Sequence, residues 1–338
     1  MRQEKLGFGI IVRMLISLIP ILFGMPMAAV ILCAYNLVMS YIVFGPITCT
    51  VSALSATLLS MLLYGFSFGD GAQTTGLCMA LISILCAVGC MQCIRRRVEF
   101  FRGVWIASLC ALVPLYIWLN YISAQAGMSV SAYFVFTTGE LFRMAVSIAA
   151  EQVPSEMNAD LASFEAVAEH AAYLAGVLVP AVVIILSVLI GYITMWAVNA
   201  QLQRTGYPIR HKFSQIRIPL PMVLMLILSI VLAYMGINET VSTLALNTGV
   251  ITVVFCMAAG MSFVEYYLQK ARLKTFVRVL IHFFIINTSL GMSAASPFFN
   301  AYTVYVVLAC LDAVFNFRKI GRNQGKGGDN NETEKRDV

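Results

Sequence analysis

Charge is the scarcest ingredient of this 338-residue chain: 11% of its residues are charged, and three are histidine. A soluble domain is nearer a quarter charged. With 60% of residues hydrophobic and a mean hydropathy of +0.86, no single soluble core could hide the apolar surface. The chain reads as an integral membrane protein. Catalytic fingerprints are missing too. There is no P-loop, no HExxH and no dinucleotide-binding glycine pattern, and no soluble stretch is long enough to carry an enzyme by itself. The expectation is a non-enzymatic protein with no cofactor and no metal.

The formal charge of +6 does not point to nucleic acid. The basic residues lie in short clusters between apolar runs, as loops on the cytoplasmic side do. The nine cysteines (Cys33, Cys49, Cys78, Cys86, Cys90, Cys93, Cys110, Cys256 and Cys310) all fall inside apolar runs. There cysteine behaves as a small hydrophobe, so no disulfide framework follows. Cys86, Cys90 and Cys93 share one helical face, but a structural zinc site would want four ligands.

Ten segments are apolar and long enough to be read as spans: 8–23, 26–44, 46–64, 75–94, 104–122, 172–198, 218–235, 244–266, 276–292 and 302–317. The first two are short and could instead be a re-entrant pair. With a cytoplasmic N-terminus, the inside loops hold Arg95, Arg96, Arg97 and Arg102, then Arg204, Arg210, Lys212 and Arg217, then Lys270, Arg272 and Lys274. The long segment 123–171 has one basic residue, Arg143, against Glu140, Glu151, Glu156, Asp160, Glu165 and Glu169. This asymmetry places both termini in the cytoplasm.

The fold class expected is therefore all-α and polytopic, with about ten transmembrane helices and an outer amphipathic helical hairpin. A five-helix N-terminal membrane bundle covers 1–122. The hairpin, broken at Pro154, covers 123–171, and its second arm runs into the sixth span. A C-terminal five-helix bundle covers 172–320. The tail 321–338 has no apolar face and reads as disordered.

The stretches SLIPILFGMPMAAVIL, LVPAVVIILSVLIGYITMWAVNAQLQR, FSQIRIPLPMVLMLI, AAGMSFVEYYLQKARLKTFVR and ACLDAVFNFRK, in that order, resemble the YybS-like family of multi-pass bacterial membrane proteins, a domain of unknown function. The resemblance implies a cytoplasmic-membrane location. The start of the chain (Pro20, Pro26, then Gly45 opening a helix) is also similar to the substrate-binding components of energy-coupling-factor vitamin transporters. That similarity implies a small-solute ligand and a partner subunit. The first helix departs from it, offering Gly7, Gly9 and Ser17 in place of a repeated alanine surface.

Charges inside spans are functional hypotheses. Asp312 lies five residues before Phe317, about 7 Å deep at 1.5 Å per residue. Arg278 and His282, at i and i+4 on the antiparallel ninth span, bracket that depth, and Asn316 shares the face of Asp312. Glu265 lies at similar depth on the eighth span. One polar cluster is expected: Asp312, Arg278, His282, Asn316 and Glu265. It is either a structural staple, in which Arg278 pairs with Asp312, or a proton or cation relay through His282, since histidine ordinarily titrates near neutrality.

GFSFG, residues 65–69, matches the nucleophile-elbow pattern G-x-S-x-G, but it follows a spanning helix and has no nearby histidine. A glycine-rich turn is the expected form, with Asp70 lining an outward pocket. The expected partners are the lipid bilayer, a membrane protein and a small-molecule solute. The function expected is solute binding or transport. The alternative is a membrane scaffold or regulatory interaction protein.

Overall fold

The computed structural model describes residues 2–69, 72–152, 158–204, 213–292 and 301–318, with side chains placed for most of them. Asp70 and the tail 321–338 lie outside the described residues. The chain divides into two compact units, Met1–Arg210 and His211–Val338.

Among the described residues the first unit holds eight helices: α1 (Arg2–Leu22), α2 (Pro26–Phe44), α3 (Pro46–Phe68), α4 (Ala72–Arg95), α5 (Phe100–Gln125), α6 (Val130–Gln152), α7 (Asn158–Val177) and α8 (Val179–Arg204). The second holds a short 3-10 turn (Phe213–Gln215), then α9 (Leu220–Met235), α10 (Glu239–Lys270), α11 (Thr275–Met292) and α12 (Ala301–Phe315). All the regular elements among the described residues are helical. Six helices (α2, α3, α4, α5, α8 and α10) are long and apolar enough to cross a membrane by length and composition, and four shorter apolar stretches lie at Val12–Leu22, Leu220–Met235, Thr275–Ile286 and Tyr302–Phe315.

Proline and glycine set the boundaries. Pro26 and Pro46 each open a helix, where their missing N–H costs nothing. Gly45 ends α2 at φ 90°, its N–H donating to the Tyr41 carbonyl at 3.0 Å, so the chain reverses directly into α3. α10 starts at Asn238, whose side chain accepts from the Val241 N–H at 2.8 Å, and carries Glu239 in its first turn and Lys270 in its last, both matched to the helix dipole. At 32 residues α10 is about 48 Å long, more than the roughly 30 Å hydrocarbon core. A helix of that length tilts or projects from the bilayer.

Packing within the first unit inverts the soluble pattern. On α3 the buried stripe is Ser52, Ala56, Ser60 and Tyr64, while Leu54, Leu58 and Leu62 face outward, each more than half exposed. Small residues let helices approach closely, and leucines meet lipid at no cost. α5 and α8 approach closely at Gly191, where an added Cβ would sit 2.4 Å from Ser108 Oγ. Cys86, Cys90 and Cys93 are buried in α4 at such an interface, all nine cysteines are free, and no cluster of three metal-binding side chains occurs among the described residues.

The structure groups the helices differently from a five-plus-five division: α8, the sixth sequence segment, packs on α5 and α2 in the first unit. Its inner face, Val183, Ser187, Ile190, Thr194 and Val198, is laid down at three- and four-residue spacing. GFSFG is the last turn of α3, capped by Gly69 at φ 85°, and not a strand-to-helix elbow.

α6 and α7 form an antiparallel pair. Near the α7–α8 junction, Pro180 has no N–H to give the carbonyl of Gly176. The Ser131 hydroxyl donates to that carbonyl instead, at 2.9 Å. Gly176 permits the approach, since a Cβ there would sit 2.4 Å from Val135.

Candidate functional site

The five residues singled out in the sequence all lie in the second unit, and the structure sorts them into two clusters. Asp312 is buried on α12 and does not pair with Arg278. Its partner is Arg318, six residues on, with Nη2–Oδ2 at 2.7 Å and Nε–Oδ2 at 2.9 Å. The cause is Asn316. It takes the left-handed conformation (φ 50°), a position that asparagine tolerates, and its N–H donates to the Asp312 carbonyl at 2.9 Å. The helix stops there and the chain folds back, carrying Arg318 under Asp312. Asn316 is thus a helix stop, and its buried Oδ1 has no hydrogen-bond partner.

Arg318 uses all five of its N–H donors. Besides the two bonds to Asp312, Nη1 donates to the Ser214 carbonyl and to Ser262 Oγ, both at 2.9 Å, and Nη2 donates to the Ile216 carbonyl at 2.8 Å. The guanidinium also stands over the Phe263 ring, 5.7 Å from its centre. Arg217 adds a second cation: its Nη2 donates to the carbonyls of Asp312 and Ala313, and its Nε lies 3.8 Å from Asp312. These carbonyls end α12, where a cation offsets the helix dipole. The cluster ties the 3-10 turn, α10 and α12 into one piece.

The second cluster joins α10, α11 and α12. Glu265 pairs with Arg278. Gln269 Nε2 donates to the same Glu265 oxygen at 2.8 Å. His282 turns Nε2 toward Glu265 Oε2 at 3.6 Å and places Nδ1 3.0 Å from the Tyr305 hydroxyl. The sequence spacing of Arg278 and His282 delivers both to one carboxylate, but Nε of Arg278 and Nε2 of His282 are buried without a hydrogen bond. α12 comes close enough to supply Tyr305 because Gly260 on α10 meets its backbone. A Cβ on Gly260 would stand 2.0 Å from the Tyr305 carbonyl oxygen.

Arg318, Arg217 and Tyr305 were invisible as site residues in the sequence. Arg217 reads as an ordinary basic loop residue, Arg318 as one of the basic residues of the tail after the last span, and Tyr305 as an apolar span position. The one usable signal was Asn316 as a helix stop between an acid and a base.

The first unit contributes a groove of about 690 Å³ between α6 and α7. Met128, Val135, Phe136, Gly139, Ala168 and Ala172 form its apolar walls, and Arg143 and Glu169 add charge. Arg143 is largely exposed and pairs with Glu140 at 2.6 Å.

All-helical units, leucine outside and serine or glycine inside, and ion pairs closed on each other agree with one comparison. A family model for predicted membrane proteins, DUF2232, matches residues 8–296. The chain belongs to this family. No curated protein and no solved structure matches it. In this DUF2232 protein the matched region takes in Glu265, Arg278 and His282 and stops before Tyr305, Asp312 and Arg318.

Proposed function

We propose that this DUF2232 protein binds a small solute at the outer face of a bacterial cytoplasmic membrane and presents or passes it inward. The observation that carries the reading is the α6–α7 groove. Its volume of about 690 Å³ falls within the roughly 300–1,000 Å³ of small-molecule sites, and it combines apolar walls with few charged groups. Such a lining suits a molecule with an apolar body and a polar or zwitterionic end. The proposed topology has ten crossings and both termini in the cytoplasm, which leaves the acid-rich α6–α7 pair outside. The similarity of the start of the chain to energy-coupling-factor substrate-binding components favours the same role. With no nucleotide motif of its own, the chain would draw energy from a partner subunit.

A thermal-shift screen of the purified protein in lipid nanodiscs against vitamins and metabolites tests this. The expected result is stabilisation by one chemical class, lost in Gly139→Phe, which fills the groove. No stabilisation, together with a co-purifying membrane protein, would overturn it in favour of a scaffold. The scaffold reading draws on Arg318, whose donors are all spent on the protein itself.

A further inference from the structure

Arg318 and His282 differ in one respect: the first has no donor to spare, and the second has a buried ring nitrogen with no hydrogen bond. We propose that Glu265, His282 and Tyr305 form a proton-binding site joining α10, α11 and α12. The charged and titratable groups facing the ring among the described residues are Glu265 from α10, Arg278 from α11 itself and Tyr305 from α12. Glu265 Oε1 carries Arg278 and Gln269, while Oε2 faces the ring. Glu265 and His282 each keep 14% side-chain exposure, so protein encloses neither of them completely.

In the neutral ring Nδ1 accepts the Tyr305 O–H and Nε2 carries the hydrogen that points at Glu265. A proton taken from water bonds to the Nδ1 lone pair. The ring then donates at both ends, to Tyr305 oxygen and to Glu265, and the Tyr305 O–H turns to another acceptor. Nothing is oxidised or reduced. The 3.6 Å gap between Nε2 and Oε2 becomes a charge-assisted contact, for which about 2.7–2.9 Å is usual. Proton occupancy therefore sets how closely α11 docks on α10.

The test is histidine-labelled NMR of the full-length protein in nanodiscs, with His282 assigned by loss of its signal in His282→Gln. The ring signal is followed from about pH 5 to pH 8. Glu265→Gln should move the midpoint down by about one unit, a tenfold loss of proton affinity, because the imidazolium loses its carboxylate. Tyr305→Phe, which keeps the ion pair with Arg278, should also move the midpoint. Circular-dichroism melts of each variant report that the helical fold persists. A midpoint unchanged in both variants, or a ring held in one protonation state across that range, would overturn the proposal.

Discussion

Arg318 sits beneath Asp312 with two hydrogen bonds to one carboxylate oxygen, at 2.7 and 2.9 Å, and both side chains are 1% exposed. Their partnership crosses a helix end and not a helix–helix interface. It locks the C-terminus of α12 onto the Ser214 and Ile216 carbonyls at the 3-10 turn and onto Ser262 of α10.

Asp312→Asn is predicted to destabilise the second unit strongly, because it leaves a buried guanidinium without its counter-charge. Breaking one partner of a buried pair typically costs about 3–5 kcal/mol. Protein abundance in membranes and thermal unfolding in nanodiscs would read the loss. Arg318→Lys should recover little of the function of the arginine, since an ammonium cannot make five hydrogen bonds to acceptors on three segments. Wild-type stability in Asp312→Asn would remove the staple from the account.

The hydroxyl of Ser131 and the ring of Pro180 are coupled through the carbonyl of Gly176. Ser131→Ala should cost about 1–3 kcal/mol, the penalty of an orphaned buried acceptor. In a Pro180→Ala background the helix supplies its own N–H, so the same substitution should cost much less. A double-mutant cycle with no coupling energy would show that the Ser131 hydroxyl is dispensable for another reason.

Gly260 controls the α10–α12 distance. Gly260→Ala places a methyl group 2.0 Å from the Tyr305 carbonyl, a backbone atom that cannot swing away. A destabilisation of about 1–3 kcal/mol or more is expected, as in overpacked cores. The His282 NMR signal should shift with it, because Tyr305 is carried away from the ring. Stability and signal both at wild-type values would show that the two helices have slack.

Asn316 offers a finer check. Asn316→Gly should be tolerated or mildly stabilising, since glycine adopts the left-handed conformation freely. Asn316→Val should destabilise, because a β-branched residue resists φ 50°. Circular-dichroism melts rank the two. The reverse order would mean that the asparagine side chain, and not its backbone, is what matters.

Much of the fold was legible before any coordinates. Each of the ten apolar segments has a helical counterpart among the described residues, and Pro26, Pro46 and Asn238 open helices for reasons local to the chain. The pair α6 and α7 was also readable, from the Pro154 breaker between two helix-rich stretches. The grouping of α8 with α2 and α5 was not. Sequence order suggests neighbours, whereas the long intervening arms α6 and α7 free the next helix to return to earlier ones.

The candidate site was half legible. Spacing alone put Arg278 and His282 on one face, and depth alone put Glu265 within their reach. Depth also suggested Asp312 for Arg278, and that pairing failed because two positions at equal depth need not face each other. Rotation about the helix axis decides that, and close contacts such as Gly260 against the Tyr305 backbone set it.

The sequence by itself determined that this is a membrane protein of helices. Bulk hydropathy and span length are sums over local residues and need no neighbours to be evaluated. It also determined where most helices begin and end, through proline, glycine and capping side chains. Only the tertiary structure decided which charge neutralises which. Asp312 goes to Arg318 because Asn316 turns the chain back, and Glu265 goes to Arg278 and His282 because α11 lies beside α10. An ion pair is a matter of ångströms between side chains, and a linear order of residues fixes those distances only within a turn or two of helix.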